Sequence, residues 1–158
     1  ELKKWIGALL KKHGINVDQY ELCYEEKGKP YLKDCPYQFS ISHSGEYALV
    51  GISKNPIGVD IQENEKIDTK IKQQIYNESD EIYAKQFDNE LDPLYDTWTM
   101  KESYIKCVGK GLKIAMPTIS ISSPELKGYY FKIFMLKNHQ FAVCMKDEPV
   151  SNIKEIKL

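Results

Sequence analysis

A chain of 158 residues, 42% of them hydrophobic, is long enough to bury a core and suits one compact domain or two small halves sharing an interface. Its 28% charged residues cancel to a formal net charge of -1, which excludes the global basic field that nucleic-acid binding relies on, so any anion site has to be local. No run approaches the roughly 18 apolar residues of a membrane span, and Glu1-Leu2-Lys3-Lys4 lacks the apolar core of a signal peptide, so a soluble cytoplasmic protein is expected.

Leu2, Trp5, Ile6, Leu9 and Leu10 recur at helical spacing up to His13, with Gly14 as the stop, so the first element reads as an amphipathic helix. Tyr20 to Tyr24 alternates weakly. Cys23 and Cys35 pair at no Cys-x-x-Cys spacing with each other or with Cys107 and Cys144, so reduced structural thiols are expected rather than zinc or a redox motif. Gly28-Lys29-Pro30 punctuates, and three β-rich runs follow at Gln38 to Ser42, Tyr47 to Ser53 and Ile57 to Gln62, read as successive strands of one small sheet. From Asp68 the period lengthens, and Ile71, Ile75, Ile82 and Phe87 suggest two short helices broken at Asn77 to Asp80, which has capping chemistry. Asp92-Pro93 reads as an N-cap followed by proline at the first helical position, and Gly109 as the stop of that helix. Ile119 to Ser122 is a further β-rich run, and Tyr129 to Leu136 with Gln140 to Met145 read as a hairpin turning at Lys137-Asn138-His139. Strands and helices come in blocks, which favours an α+β fold.

Asp60 and Gln62 lie two apart in a strand and therefore share a face, with Ile61 and Glu63 on the other. Glu102 and Lys106 lie four apart on the Asp92-Pro93 helix and also share a face. Brought together, the two carboxylates make half of a magnesium site, since Mg²⁺ takes one or two protein carboxylates and fills its octahedron with waters and phosphates. By spacing alone, Glu102 and Lys106 equally suit a solvated ion pair, and Asp60 a turn former. Ser40-Ile41-Ser42-His43-Ser44-Gly45 crowds hydroxyls, an imidazole and a glycine at a strand end, which suits phosphate oxygens or simply a polar turn. A Ser/His hydrolase is disfavoured, because adjacent strand residues diverge and no Gly-x-Ser-x-Gly elbow is present. Lys29, on a loop stiffened by Pro30, is a phosphate-pairing cation or an exposed turn lysine.

Taken in order, Gly28-Lys29-Pro30, Phe39-Ser40-Ile41-Ser42-His43-Ser44, Gly58-Val59-Asp60-Ile61 and Trp98-Thr99-Met100-Lys101-Glu102-Ser103-Tyr104-Ile105-Lys106, running on into Gly109-Lys110-Gly111-Leu112, resemble the signature series of Sfp-type 4'-phosphopantetheinyl transferases. Each is short, but together they span nearly the whole chain. The resemblance implies two pseudo-symmetric α/β halves, here residues 1-66, abbreviated, and 67-158. Coenzyme A would lie between them, with Mg²⁺ on its pyrophosphate. It implies transfer of the phosphopantetheine arm to a serine of an apo acyl or peptidyl carrier protein, releasing adenosine 3',5'-bisphosphate. Asp60 and Glu102 would ligate Mg²⁺, and Lys29, Pro30, Ser42 and His43 would hold the coenzyme A phosphates and nucleotide. Lys101 and Lys106 would flank the pyrophosphate, with Glu102 and Lys106 catalytic and the base for the serine hydroxyl being Glu102 or a metal-bound water deprotonated with its help.

Two departures stand out. The family is usually acidic where Gln62 stands, so one metal ligand is neutral or replaced by water. Sfp-type chains also usually carry an N-terminal segment with basic residues for the coenzyme A 3'-phosphate ahead of this first helix, and its absence leads to the expectation of an abbreviated N-terminal half. A monomer without nucleic-acid or membrane partners is expected. The rival readings are a trimeric holo-acyl-carrier-protein synthase and a non-catalytic module binding coenzyme A or carrier. The carrier is expected to dock near Ile67 to Leu94, with Ile71, Ile75, Tyr76 and Phe87 for apolar contact and Lys66, Lys70 and Lys72 steering its acidic helices, although packing between the halves would use the same apolar residues.

Overall fold

The computed structural model describes residues 1–26, 28–65, 68–109, 114–120 and 126–155. The first helix, α1 (Leu2–Lys11), buries Ile6 and Leu10 completely. Those side chains meet Leu32 and Phe39, so the apolar stripe of α1 faces the strands that follow it. Two three-residue strands, β1 (Leu22–Tyr24) and β2 (Pro30–Leu32), pair antiparallel around the Gly28-Lys29 loop. Pro30 opens β2, a position where a missing N–H costs no ladder bond.

β3 (Gln38–Ser44) and β4 (Tyr47–Ser53) form a hairpin in which Ser44 faces Tyr47. Phe39, Ile41 and Ile52 join the cluster beneath α1. Ser40, Ser42 and Ser44 project to the other side. The third β-rich run, β5 (Ile57–Glu63), does not extend this sheet, contrary to the expectation of three successive strands. It pairs with β7 (His139–Lys146), which pairs in turn with β6 (Tyr129–Leu136), giving the order β5-β7-β6, all antiparallel. The hairpin lies instead along the outer edge of β5, with its serine side chains substituting for a neighbouring backbone. The N–H groups of Val59, Ile61 and Glu63 donate to the hydroxyls of Ser40, Ser42 and Ser44 at 3.0, 3.3 and 2.9 Å. Gly51 of β4 adds the room, because a Cβ there would sit 2.7 Å from Ile57 and 2.8 Å from Val59.

On the opposite face of β5 lies α3 (Leu91–Val108), which runs to Gly109 at φ +61°. The expected stop is therefore observed, while the expected start shifts. Asn89 accepts the Asp92 N–H at 2.8 Å and donates to its carboxylate at 2.9 Å, so the helix is already under way at Leu91 and Asp92 lies inside its first turn. Ahead of it, a 3₁₀ turn at Thr69–Gln74 and α2 (Glu78–Ala84) supply the two short helices, α2 opened by a reciprocal Asn77/Asp80 capping box. Ile119 and Ser120 are not in a strand, and the rest of that expected run lies outside the described residues. The order α1, hairpin, three-stranded sheet, α3 makes an α+β architecture. β5 precedes residue 66 yet pairs with β7, so one sheet joins the two parts of the chain. Among the described residues no helix is long and apolar enough to cross a membrane.

Candidate active site

Covered by the hairpin on one side and α3 on the other, β5 is buried from Ile57 to Ile61. Asp60 faces α3 and is only 2% exposed. A carboxylate so placed needs donors, and three supply them. Its Oδ1 accepts from Lys106 Nζ at 2.7 Å and from Ser42 Oγ at 3.1 Å, and its Oδ2 from Gln62 Nε2 at 3.1 Å. Gln62 therefore shares the Asp60 face, as strand alternation requires. Glu63 lies on the other face, where its Oε2 and His139 Nε2 would each be 2.8 Å from a Cβ on Gly45.

Glu102 lies one turn before Lys106 on α3 and joins the same group. Burial pushes its carboxyl above the ordinary glutamate value, the negative charge of Asp60 pushes it further, and the Lys106 ammonium partly offsets both. Because Lys106 reaches Asp60 and Glu102 lies one turn back on the same face of α3, strand and helix present both carboxylates to one corner, and Gly58 is what permits the approach. A Cβ on Gly58 would lie 1.9 Å from the Ser103 carbonyl oxygen and 2.3 Å from the Cys107 nitrogen, so only a glycine lets backbone meet backbone here.

Two carboxylates sharing one ammonium leave this corner with surplus negative charge. Among the described residues no cluster of three or more His, Cys, Asp or Glu could hold a metal. Two carboxylates plus the Gln62 amide oxygen, which a flip of the amide would present, fit a hard cation such as Mg²⁺ that completes its shell with waters and phosphates. A softer metal needing three or four protein ligands does not fit.

The other expected residues divide. Lys29 Nζ donates to the Lys106 carbonyl at 2.8 Å and so covers the last turn of α3, where helix carbonyls lack partners. Burial lowers its pKa, with Glu25 and Cys107 opposing the shift. Pro30 fixes the loop that carries it. The Ser42 hydroxyl is committed to the Asp60 carboxylate and the Ile61 N–H, so it supports the site rather than standing open toward it. His43 is exposed on the face of β3 opposite Ser42, and the structure does not bring it to Asp60. Lys101 is a correction. Its ammonium is fully buried, 2.5 Å from Asp80 Oδ2 and 2.7 Å from the Ile75 carbonyl, so it faces α2 and cannot flank a pyrophosphate beside Asp60. A one-residue step along a helix turns the side chain by about 100°, which separates Lys101 from its neighbour Glu102.

Sequence reasoning missed the serine ladder, the Gly58 contact and the Asp80 partner. Serines at 40, 42 and 44 and a glycine inside a strand pattern were the available signals for the first two. Asp80 carried none beyond its capping role. Ile75 and Tyr76, expected as carrier contacts, are buried against Leu94. Lys66, Lys110, Gly111 and Leu112 lie outside the described residues. Two open grooves lie away from the carboxylates. One of about 660 Å³ is lined by Lys3, Lys4, Lys11 and Asp18, and one of about 400 Å³ by Lys70, Lys72, Tyr76, Asn77 and Glu81.

Residues 56–152 match the model of the 4'-phosphopantetheinyl transferase superfamily. The chain is 36% identical over 122 residues to the 4'-phosphopantetheinyl transferase gsp of Aneurinibacillus migulanus, covering 75% of this chain and 51% of that protein. It is 36% identical over 118 residues to the 4'-phosphopantetheinyl transferase Sfp of Bacillus subtilis (strain 168), covering 73% and 53%. A more distant relative is the L-aminoadipate-semialdehyde dehydrogenase-phosphopantetheinyl transferase of Mus musculus, 32% identical over 132 residues, covering 73% and 43%. The chain spans about half the length of the curated relatives it matches. With the Asp60, Glu102 and Lys106 convergence lying inside the matched segment, the chain belongs to the 4'-phosphopantetheinyl transferase superfamily.

Proposed function

We propose that this protein moves the 4'-phosphopantetheine arm of coenzyme A onto a serine of an apo acyl or peptidyl carrier protein. The observation that carries the reading is the meeting of Asp60, Glu102 and Lys106 across the β5/α3 contact. The carrier serine oxygen bonds to the phosphorus bearing pantetheine, the P–O bond to the bridging oxygen breaks, and adenosine 3',5'-bisphosphate departs with that oxygen. The serine proton passes to Glu102. A carboxylate whose proton affinity is raised by burial and by a like charge is better matched to that task at neutral pH than an ordinary glutamate.

Asp60 and Glu102, with Gln62 directly or through water, would hold Mg²⁺, which when bound supplies positive charge to the pyrophosphate. Lys106, 31% exposed, holds the Asp60 carboxylate and faces the charge that gathers on the leaving group. Lys29 and His43 would take phosphate or nucleotide groups of coenzyme A, Pro30 holding the loop and Ser42 holding Asp60. Residues 1-66 and 67-158 are proposed as the two halves of the fold, working as a monomer in the cytoplasm. The carrier is proposed to dock on the stretch from 68 to 94, where Lys70 and Lys72 line a groove and Ile82 is 59% exposed.

The test is incubation with coenzyme A, Mg²⁺ and a panel of apo carrier proteins, read as the mass of the added arm. Arm transfer to at least one carrier is expected, lost on Asp60→Ala. Coenzyme A binding without transfer at saturating Mg²⁺ would instead mark a non-catalytic binding module, a reading that Gln62 allows and the intact Asp60 and Glu102 oppose. A solution mass of three chains would mark the trimeric synthase.

A further inference from the structure

Lys101 and Asp80 are both fully buried, and nothing in the proposed reaction uses them. Their surroundings show what they join. Asp80 Oδ2 accepts from Lys101 Nζ and also from the Asn77 N–H at 2.8 Å. The Asn77 side chain donates onward to the carbonyls of Pro117 and Ile119 at 3.2 and 2.8 Å. The same ammonium donates to the Ile75 carbonyl, where the 3₁₀ turn ends. One lysine on α3 thus binds the start of α2, the end of the preceding turn and, through Asn77, the chain after α3.

α3 is held on several sides. Gly58 of β5 presses on its Ser103 and Cys107 backbone, which sets the distance between strand and helix. Tyr104 and Cys107 also pack against Ile119, Leu126 and Cys144, but such apolar contacts are non-directional and tolerate a small roll. The Lys101 grip lies roughly a quarter-turn around the helix from Glu102 and opposes that roll. A side-chain carboxylate sits about 6 Å from the helix axis, so a roll of about 10° displaces it by about 1 Å. A displacement of that size in a reacting group costs on the order of 100-fold in rate.

We propose that Lys101 is a positioning residue which, through its buried pair with Asp80 and its bond to Ile75, fixes the rotation of α3 and so aims Glu102 at Asp60, without touching substrate. The inference rests on the transferase reading above. It assigns Lys101 a role unlike the phosphate contact that the sequence suggested, and it gives Asp80 a part in the reaction although it lies outside the site.

Removing one partner strands a buried charge and threatens the fold, so the test uses paired substitutions. In Lys101→Met/Asp80→Leu the volume is kept and the directional bonds are lost. kcat for arm transfer is expected to fall at least tenfold, with KM for coenzyme A within twofold of the parent. In Lys101→Gln/Asp80→Asn the charges are lost but amide hydrogen bonds remain, and kcat is expected within about threefold of the parent. An unchanged kcat in the apolar pair overturns the proposal, because the pair then only fills space. A tenfold rise in KM for coenzyme A in either variant overturns it too, as does a neutral amide pair no better than the apolar one.

A measurement on the unaltered protein covers variants that do not fold and keeps the proposal separate from the transferase reading. Acetic anhydride labelling mapped by mass spectrometry should modify Lys101 at least tenfold more slowly than the exposed Lys33 and Lys85, with or without coenzyme A. Labelling of Lys101 at the surface rate overturns the proposal. Failure of the unaltered protein to transfer the arm sinks the transferase reading, and the labelling contrast still reports whether Lys101 is locked away from substrate.

Discussion

Gly58→Ala is the sharpest test of the geometry. The added methyl would stand 1.9 Å from the Ser103 carbonyl oxygen, about 1.5 Å short of ordinary contact, and 2.3 Å from the Cys107 nitrogen. Both are backbone atoms of α3, so no rotamer change relieves the clash and helix and strand have to separate. Overpacking costs about 1–3 kcal/mol. A backbone clash belongs at the upper end, and the smaller entropy of the unfolded alanine chain returns at most about 1 kcal/mol. A net loss of about 2 kcal/mol corresponds to about 4–8 °C in Tm at this chain length. The functional loss should be larger than the stability loss. A retreat of α3 by even part of that distance takes Lys106 Nζ, now 2.7 Å from Asp60, out of hydrogen-bond range and carries Glu102 with it. Circular dichroism melts and carrier-loading rates, the latter taken well below the variant's melting point, measure the two effects. Transfer should fall by about 100-fold or more in the folded variant. A melt within about 1 °C of the parent, with transfer retained, would refute the close approach of β5 and α3 on which the site is built.

Glu102→Gln should abolish most transfer, by about 100-fold or more, while raising Tm at pH 8. Because the folded state raises the Glu102 pKa, its stabilising contribution is complete below the ordinary glutamate value of 4.5 and is lost as pH rises through the folded value, so the gain should vanish in melts at low pH. Gln62→Glu should lower the Mg²⁺ concentration for half-maximal transfer. An unchanged requirement in a Mg²⁺ titration counts against Gln62 facing the cation. Ser40→Ala leaves the buried Val59 N–H without its acceptor and should cost about 1–3 kcal/mol in urea unfolding, with transfer per folded molecule retained.

What could be read in the sequence was what local rules govern. Helical spacing in α1, the Asn77 capping chemistry, the Gly109 stop and the β6/β7 hairpin are decided within a few residues, and the structure agrees with them. The fate of β5 was not local. Ile57 to Ile61 reads as a strand wherever it pairs, and its partner β7 lies some eighty residues on. What turns it from β4 toward β7 is three serine hydroxyls filling the place of a neighbouring strand, an arrangement that alternation makes possible and no propensity demands. The site followed the same division. That Asp60 shares a face with Gln62, and Glu102 with Lys106, follows from strand and helix periods. That the two faces meet depends on Gly58, and chain adjacency misled for Lys101, which stands beside Glu102 in sequence but is turned toward α2 in space.

The charge balance explains why so much of the local structure serves to hold α3. Asp60 is nearly inaccessible and has three donors, whereas Glu102 has the Lys106 ammonium at a remove and a like charge as neighbour. Left to relax, such a carboxylate would swing toward water or protonate, and either response would take away the proton acceptor that the proposed reaction needs. It stays because α3 cannot move. β5 sets the helix's distance at Gly58, Lys29 covers its final turn at Lys106, and Lys101 ties its flank to α2. These contacts lie on three sides of the helix and none uses the Glu102 carboxylate itself. Stability is thus supplied around the reacting group rather than by it, and the unfavourable charge at its centre remains available for a bound cation and an incoming proton to relieve.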